Sequence, residues 1–309
     1  MNRLELKQLA NHHGLEILEN TIKINESGVD FRVAHVEGLH GDQWILRMPR
    51  RPESMKHTLQ EKKTLDHISR HVHFQVPKWS IFTESLIAYK QLEGVPAASI
   101  DVEQQSYVWS FDQTNVPQAY YESLGSVLAN VHSLDQQPFK TLGVEMLSAH
   151  ELRASMKQRM ERVKSQYTIN SGLWERWQAW LAKDSLWPPF VGVKHGDLHP
   201  GHILIDENQC VTGVIDWSEV GVGDVSADFL SHQLLFGKEG LTKLIHAYEK
   251  AGGRTWPGMD EHIIELLTTS AITVAEYAQR SGLKDMHETA AYMLATKANQ
   301  SGRIQKKSP

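Results

Sequence analysis

The sequence predicts an α+β chain in two parts, a strand-rich small lobe followed by a larger helical one. Three observations predict it. Before Glu93-Gly94-Val95-Pro96 the apolar residues come mostly in short strand-like runs, and after it they recur mainly at helical spacing. The stretch V-K-H-G-D-L-H-P-G-H-I-L-I-D (193–206) and the following G-V-I-D-W (213–217) interrupt the helices with a hairpin crowded by polar groups. A length of 309 residues supplies about two domains with a cleft between them.

The elements follow in order. A helix is expected over residues 4–13, stopped by Gly14. Strands are expected at 16–23, 31–36 and 44–48, with Asn25 to Asp30 as the turn between the first two. One helix over 53–71, with Leu59, Leu65 and Ile68 on its apolar face, precedes strands at 76–82 and 86–89. A linker near 90–95 divides a lobe of residues 1–92 from one of 93–309. Helices are then expected at 120–134, 148–166 and 171–183, the last ended by Trp187-Pro188-Pro189. Strands 203–205 and 211–215 form the hairpin around Asp206, Glu207 and Asn208, and helices follow at 226–236, 241–251 and 261–280. The polar, basic tail from Lys297 is expected to fray.

Composition narrows the function. A formal net charge of −5 argues against a nucleic-acid binder, which presents a basic face. Cys210 is the only cysteine, so no intramolecular disulfide forms and a reducing compartment fits. No segment approaches the roughly 20 apolar residues that span a bilayer, and the first residues lack a signal-peptide core. A soluble, cytoplasmic protein is expected, with no nucleic-acid or membrane partner.

Asp197, His202 and Asp216 place an acid, a metal-competent ligand and a second acid around the hairpin. Phosphoryl transfer from a nucleotide needs that set: a carboxylate that orients a hydroxyl and takes its proton, and ligands that hold a metal on the phosphates. Each has a plainer reading. Asp197 alone is an ordinary loop-capping acid, and His202 a histidine packed at a strand start. His195, His199 and His202 also invite a zinc site, against which Pro200-Gly201 breaks any shared helical face and no cysteine joins the set. Asp224 and Asp228 are expected to cap and tether the next helix. Arg47 ends a strand and Glu61 lies on the next helix, giving either a phosphate clamp or a surface ion pair. The turn holding Ser27 has one glycine, a weak phosphate-loop signal, and no Walker A sequence occurs.

The segments N-E-S-G-V-D-F-R (25–32), W-I-L-R-M-P-R-R (44–51), H-G-D-L-H-P-G-H-I-L-I-D (195–206), I-D-W-S-E (215–219) and A-Y-E-K-A-G-G-R-T-W-P (247–257) carry a resemblance. Over residues 9–295 the chain resembles the antibiotic phosphotransferases of protein-kinase-like fold and, more narrowly, macrolide 2′-phosphotransferases. The resemblance implies a two-lobed kinase-like fold with a small antiparallel sheet in the first lobe. It implies that Asp197 is the base, that His202 and Asp216 hold Mg2+, and that GTP, or else ATP, donates the phosphate. Nucleotide contacts are then expected from Ser27, Arg47, Glu61 and the hinge residues Tyr89, Lys90, Gln91 and Leu92. Arg47 stands where protein kinases keep lysine, and His202 where most relatives keep asparagine.

The macrolide itself is expected against the apolar helix, at Ala271, Ala275, Glu276 and Tyr277, on a monomeric enzyme that confers antibiotic resistance. Two rivals remain. One is a kinase-like enzyme for an aminoglycoside or other hydroxylated metabolite; the other is a nucleotide-binding regulator without catalysis.

Overall fold

A capping box starts the chain. In the computed structural model, which describes residues 2–26, 28, 30–101 and 106–296, the Asn2 side chain accepts the Glu5 N–H and Glu5 in turn accepts the Asn2 N–H. Helix α1 (Arg3–His12) follows, and Gly14, at φ 79°, turns the chain away from it. Strands β1 (Lys23–Asn25), β2 (Phe31–Glu37) and β3 (Gln43–Pro49) come next, then helix α2 (Thr58–Ile68) and strands β4 (Trp79–Phe82) and β5 (Ile87–Lys90). The five strands form one antiparallel sheet in the order β1-β2-β3-β5-β4. Ala34, Val36, Leu46, Met48 and Ala88 from this sheet pack in one core with Leu6 and Ala10 of α1.

Next come the short strand β6 (Val95–Pro96), the hairpin of β7 (Ala98–Asp101) and β8 (Ser106–Trp109), and helices α3 (Gln118–His132), α4 (Gln137–Leu142), α5 (Ala149–Lys164) and α6 (Ser171–Ala182). Strands β9 (Gly192–Lys194), β10 (Ile203–Ile205), β11 (Val211–Val214) and β12 (Gly221–Gly223) precede helices α7 (Leu230–Lys250), α8 (Met259–Leu267), α9 (Ser270–Ser281) and α10 (Lys284–Ala295). The α+β class with an antiparallel first part and a helical second part is as expected.

Packing divides the chain into two compact units. One comprises Met1–Ser110, Thr141–Gly143 and Gly201–Ser218; the other comprises Phe111–Lys140, Val144–Pro200 and Glu219–Pro309. The first therefore holds the five-stranded sheet and also the β10–β11 hairpin, which pairs with β6 in a separate three-stranded sheet. The second has its own core, in which Met160, Trp177, Trp180, Ile272, Ala275 and Leu294 are buried together. No described helix is long and apolar enough to cross a membrane.

Several expected elements differ in extent. The strand expected at 16–23 is broken by a 3-10 turn at Glu19–Thr21, where Thr21 Oγ1 bonds the Leu18 carbonyl (2.7 Å), and only Lys23–Asn25 pairs as a strand. The helix expected from 53 begins at Thr58, behind a 3-10 turn led by Pro52. The apolar helix expected over 261–280 is two helices. Thr268 and Thr269 turn their hydroxyls onto the carbonyls of Glu265 (2.6 Å) and Leu266 (2.7 Å), local bonds that compete with the helical ladder. The segment expected at 226–236 opens as a 3-10 turn (Val225–Phe229), and α7 then kinks at Gly237 (φ 64°), so the expected division into two helical stretches is present. The expected tail from Lys297 lies outside the described residues.

Candidate active site

In the first unit, β3 carries Arg47 and α2 carries Glu61, with Arg47 Nη1 2.9 Å from Glu61 Oε1 and side-chain exposures of 16 % and 9 %. This is not a surface pair. The guanidinium also lies over the rings of Phe31 (4.5 Å) and Trp79 (5.3 Å), which fixes its plane. Burial opposes the charge of Arg47, but Glu61, then Tyr89 and Asp216, outweigh it and hold the guanidinium above its ordinary range. Burial pushes the nearby Tyr89 phenol up to about 12.

The hairpin brings His202 and Asp216 together because the Ile215 N–H bonds the His202 carbonyl (3.0 Å) across the strand ends. His202 Nε2 then lies 3.6 Å from Asp216 Oδ2. Asp216 takes φ 61°, a left-handed conformation rare outside glycine and concentrated at functional sites. The next residue, Trp217, is buried, bonds the Val214 carbonyl through Nε1 (3.0 Å) and stacks on Phe74. The turn thus drives Trp217 inward while the Asp216 carboxylate stays 45 % exposed, with Ser218 Oγ donating to its Oδ1 (2.9 Å). One imidazole nitrogen and one carboxylate oxygen at this spacing fit a divalent cation that takes its remaining ligands from phosphate and water. The nitrogen is softer than Mg2+ prefers, so the set also suits Mn2+.

Backbone bonding over residues 90–93 is selective. The Gln91 N–H donates to the Gln43 carbonyl (2.8 Å) and the Glu93 N–H to Gln75 Oε1 (2.9 Å). Lys90 Nζ pairs with Asp42 (3.1 Å), and Gln91 Oε1 meets His35 Nδ1 (3.3 Å). Leu92, between these tethers, makes no backbone hydrogen bond among the described residues. Ser27 lies outside the described residues; its neighbours are braced by Arg50, which donates to the Gly28 carbonyl (2.7 Å) and pairs with Glu26 (2.9 Å).

In the second unit, Asp197 sits on a turn that is pinned from below. Gly196 is at φ 90°, and a Cβ there would collide with the Glu219 carbonyl. The N–H groups of His195 and Gly196 both donate to Asp228 (2.8 Å each), whose carboxylate is fully buried. His132 Nε2 lies 3.1 Å from the same carboxylate, and its Nδ1 lies 3.0 Å from the Tyr248 hydroxyl. Burial alone would raise the Asp228 carboxyl, but His132, His195 and the Gly196 N–H outweigh it and hold it below the usual carboxylate range. The result is an exposed Asp197 on an immobilised backbone, with its N–H donating to His195 Nδ1 (3.3 Å).

The expected tethering roles of Asp224 and Asp228 match this geometry. Asp224 caps Ser226 (2.9 Å) and faces buried His262 (2.7 Å). His132 and Tyr248 carry no sequence signal that marks them as partners of Asp228. The α9 residues do not gather as expected. Ala271 and Ala275 are buried at 3 % and 0 % in the core of the second unit. Glu276 is held by Arg159 through two parallel bonds (3.0 and 2.7 Å), and Tyr277 is half-buried.

A strand-bound Arg–Glu pair, the His202–Asp216 pair and an acid-bearing loop are the kinds of parts a kinase-type phosphotransferase uses. The chain belongs to the phosphotransferase enzyme family APH, which residues 21–262 match. It is 38 % identical over 274 residues, 89 % of this chain and 90 % of the relative, to the uncharacterized protein YcbJ of Bacillus subtilis (strain 168). Its structure is similar to that of the macrolide 2′-phosphotransferase MphH apoenzyme from Brachybacterium faecium, with TM-score 0.89, 34 % identity and 96 % and 98 % of the two chains covered. A macrolide 2′-phosphotransferase type I gives TM-score 0.88 and 35 % identity, covering 95 % of this chain and 97 % of its own. The protein is therefore a kinase-type transferase acting on a hydroxyl.

Proposed function

We propose that this enzyme moves the γ-phosphate of GTP, or of ATP, to the 2′-hydroxyl of the desosamine sugar of macrolide antibiotics and thereby inactivates them. The observation that carries the reading is the near full-length likeness, at 34 % and 35 % identity, to two macrolide 2′-phosphotransferases. The donor side is assigned to residues 1–92 together with β10 and β11, and the acceptor side to the rest of 93–309. The enzyme acts as a monomer in the cytoplasm, where nucleotide is abundant.

In this reading Asp197 accepts a hydrogen bond from the 2′-hydroxyl, aligns its oxygen on the γ-phosphorus and takes the proton as the new P–O bond forms and the nucleoside diphosphate leaves. Arg47, pinned by Glu61 and two rings, holds the phosphates of the donor. His202 and Asp216 are assigned as the ligands of Mg2+, which when bound neutralises phosphate oxygens. Leu92 offers its backbone N–H and carbonyl to the purine edge. Steady-state assays with erythromycin-type and kanamycin-type acceptors at matched nucleotide test the reading. Macrolide turnover without kanamycin turnover is expected; efficient kanamycin phosphorylation with inert macrolides would replace the acceptor.

A further inference from the structure

Gln75 lies outside every motif, in the connection between α2 and β4. Its backbone bridges β11 in parallel: the Gln75 N–H donates to the Thr212 carbonyl (2.9 Å) and the Val214 N–H to the Gln75 carbonyl (3.0 Å). Gly213, opposite, permits this approach, since a Cβ there would press on the Gln75 carbonyl oxygen at 3.0 Å. The side chain reaches a different segment. Oε1 accepts the N–H of hinge residue Glu93 (2.9 Å), and Nε2 donates to the Glu93 carbonyl (3.2 Å) and to the Thr212 carbonyl (3.4 Å). Thr212 Oγ1 donates to the same Glu93 carbonyl (3.1 Å). One carboxamide therefore satisfies both backbone groups of Glu93, as a neighbouring strand would, while its own backbone holds the strand that leads to Asp216. An incidental surface glutamine does not match donor to acceptor and acceptor to donor on a single residue.

We propose that Gln75 is a positioning residue for the donor nucleotide. It locks the hinge beside Leu92 to β11 and so sets the spacing between the purine end of the site and the ligand pair His202–Asp216. The inference rests on the phosphotransfer reading, which makes those two places the ends of one nucleotide. A ligand gripped at both ends binds tightly only where the two grips are held at the matching distance.

Gln75→Leu removes both side-chain bonds to Glu93 and the longer one to Thr212 at similar volume, and Gln75→Glu keeps an acceptor for the Glu93 N–H but loses the donor. Calorimetric titrations with GDP and ADP in Mg2+, parallel titrations with guanosine and adenosine, and amide exchange at Glu93 form the test. Gln75→Leu is expected to bind the diphosphates about tenfold more weakly, as the side-chain clamp on Glu93 is lost. Binding of the nucleosides, which engage one end only, should change less than about threefold. Gln75→Glu should fall between, and exchange at Glu93 should quicken in step. Unchanged diphosphate affinity alongside quickened exchange overturns the inference, as does an equal loss for nucleoside and diphosphate. If Gln75→Leu does not fold, Gln75→Glu decides by the same comparison. Wild-type protein that binds no nucleotide would instead overturn the phosphotransfer reading.

Discussion

Asp197 and Asp216 are both exposed aspartates, yet their surroundings differ in a way that fits the different roles proposed for them. Asp197 rides on a turn whose N–H groups are anchored in the buried Asp228, whereas Asp216 is turned outward by a left-handed backbone beside His202. Asp197→Ala is therefore expected to lower turnover by about 10²–10⁴-fold with nucleotide affinity little changed, read from kcat and a separate nucleotide titration. A wild-type rate in that folded variant would remove the base assignment. At His202, asparagine restores an oxygen ligand, so His202→Asn should keep more activity and a closer to normal Mg2+ dependence than His202→Ala. Equal behaviour of the two would leave His202 a packing residue. Arg47 is held by one bond from Nη1 to Glu61 and by two rings, and lysine does not reproduce the planar stacking on Phe31 and Trp79. Arg47→Lys should weaken nucleotide binding by roughly tenfold, measured by calorimetry, and wild-type affinity would show that charge alone suffices.

At the scale of elements, the loop bearing Asp197 is only as rigid as its anchor. Asp228→Asn keeps shape but loses charge toward His132 and one backbone acceptor. Leaving buried partners of this network unsatisfied costs about 1–3 kcal/mol, and unfolding titrations of the variant should show a loss of that order together with reduced turnover. A stable, fully active Asp228→Asn would mean the loop holds itself. Much of this framework was legible in the chain. The hairpin strands were readable because Ile203–Ile205 and Val211–Val214 form short apolar runs around a turn whose Asp206 caps Asn208 and Cys210. Helix α5 was readable from the amphipathic, charged pattern over 148–166. The break at Thr268 and Thr269 was not, because apolar spacing continues straight across it. Gln75, His132 and Tyr248 were equally silent, since each acts on a partner distant in sequence and no local pattern marks a long-range hydrogen bond. Ala271 and Ala275 misled for a related reason: small residues on an apolar helix suit a ligand wall and a tight core alike, and packing in the second unit chose the core.

Across the whole molecule, stability should depend on pH through His232. It is 6 % exposed, among the rings of Tyr120, Tyr121 and Phe236, and burial pushes it down from 6.5 to about 3. The folded state therefore keeps this histidine neutral where the unfolded chain protonates it. The stabilisation is complete above about 6.5 and is lost as pH falls toward 3. By pH ~4.5 roughly 2–3 kcal/mol should be gone, and the wild-type Tm should fall more steeply with acid than that of His232→Phe, which has no proton to take up. Parallel slopes would mean that folding does not change the protonation of His232. Asp228 and His132 are thus buried anchors, while Asp197, His202 and Asp216 are the residues proposed to act on the substrates. The most direct measurement of what they do is transfer of radiolabelled γ-phosphate to erythromycin, with NMR of the product to locate the label. Phosphate on the 2′-oxygen, abolished in Asp197→Ala, is the predicted result; label on another hydroxyl, or released only as free phosphate, would contradict the account.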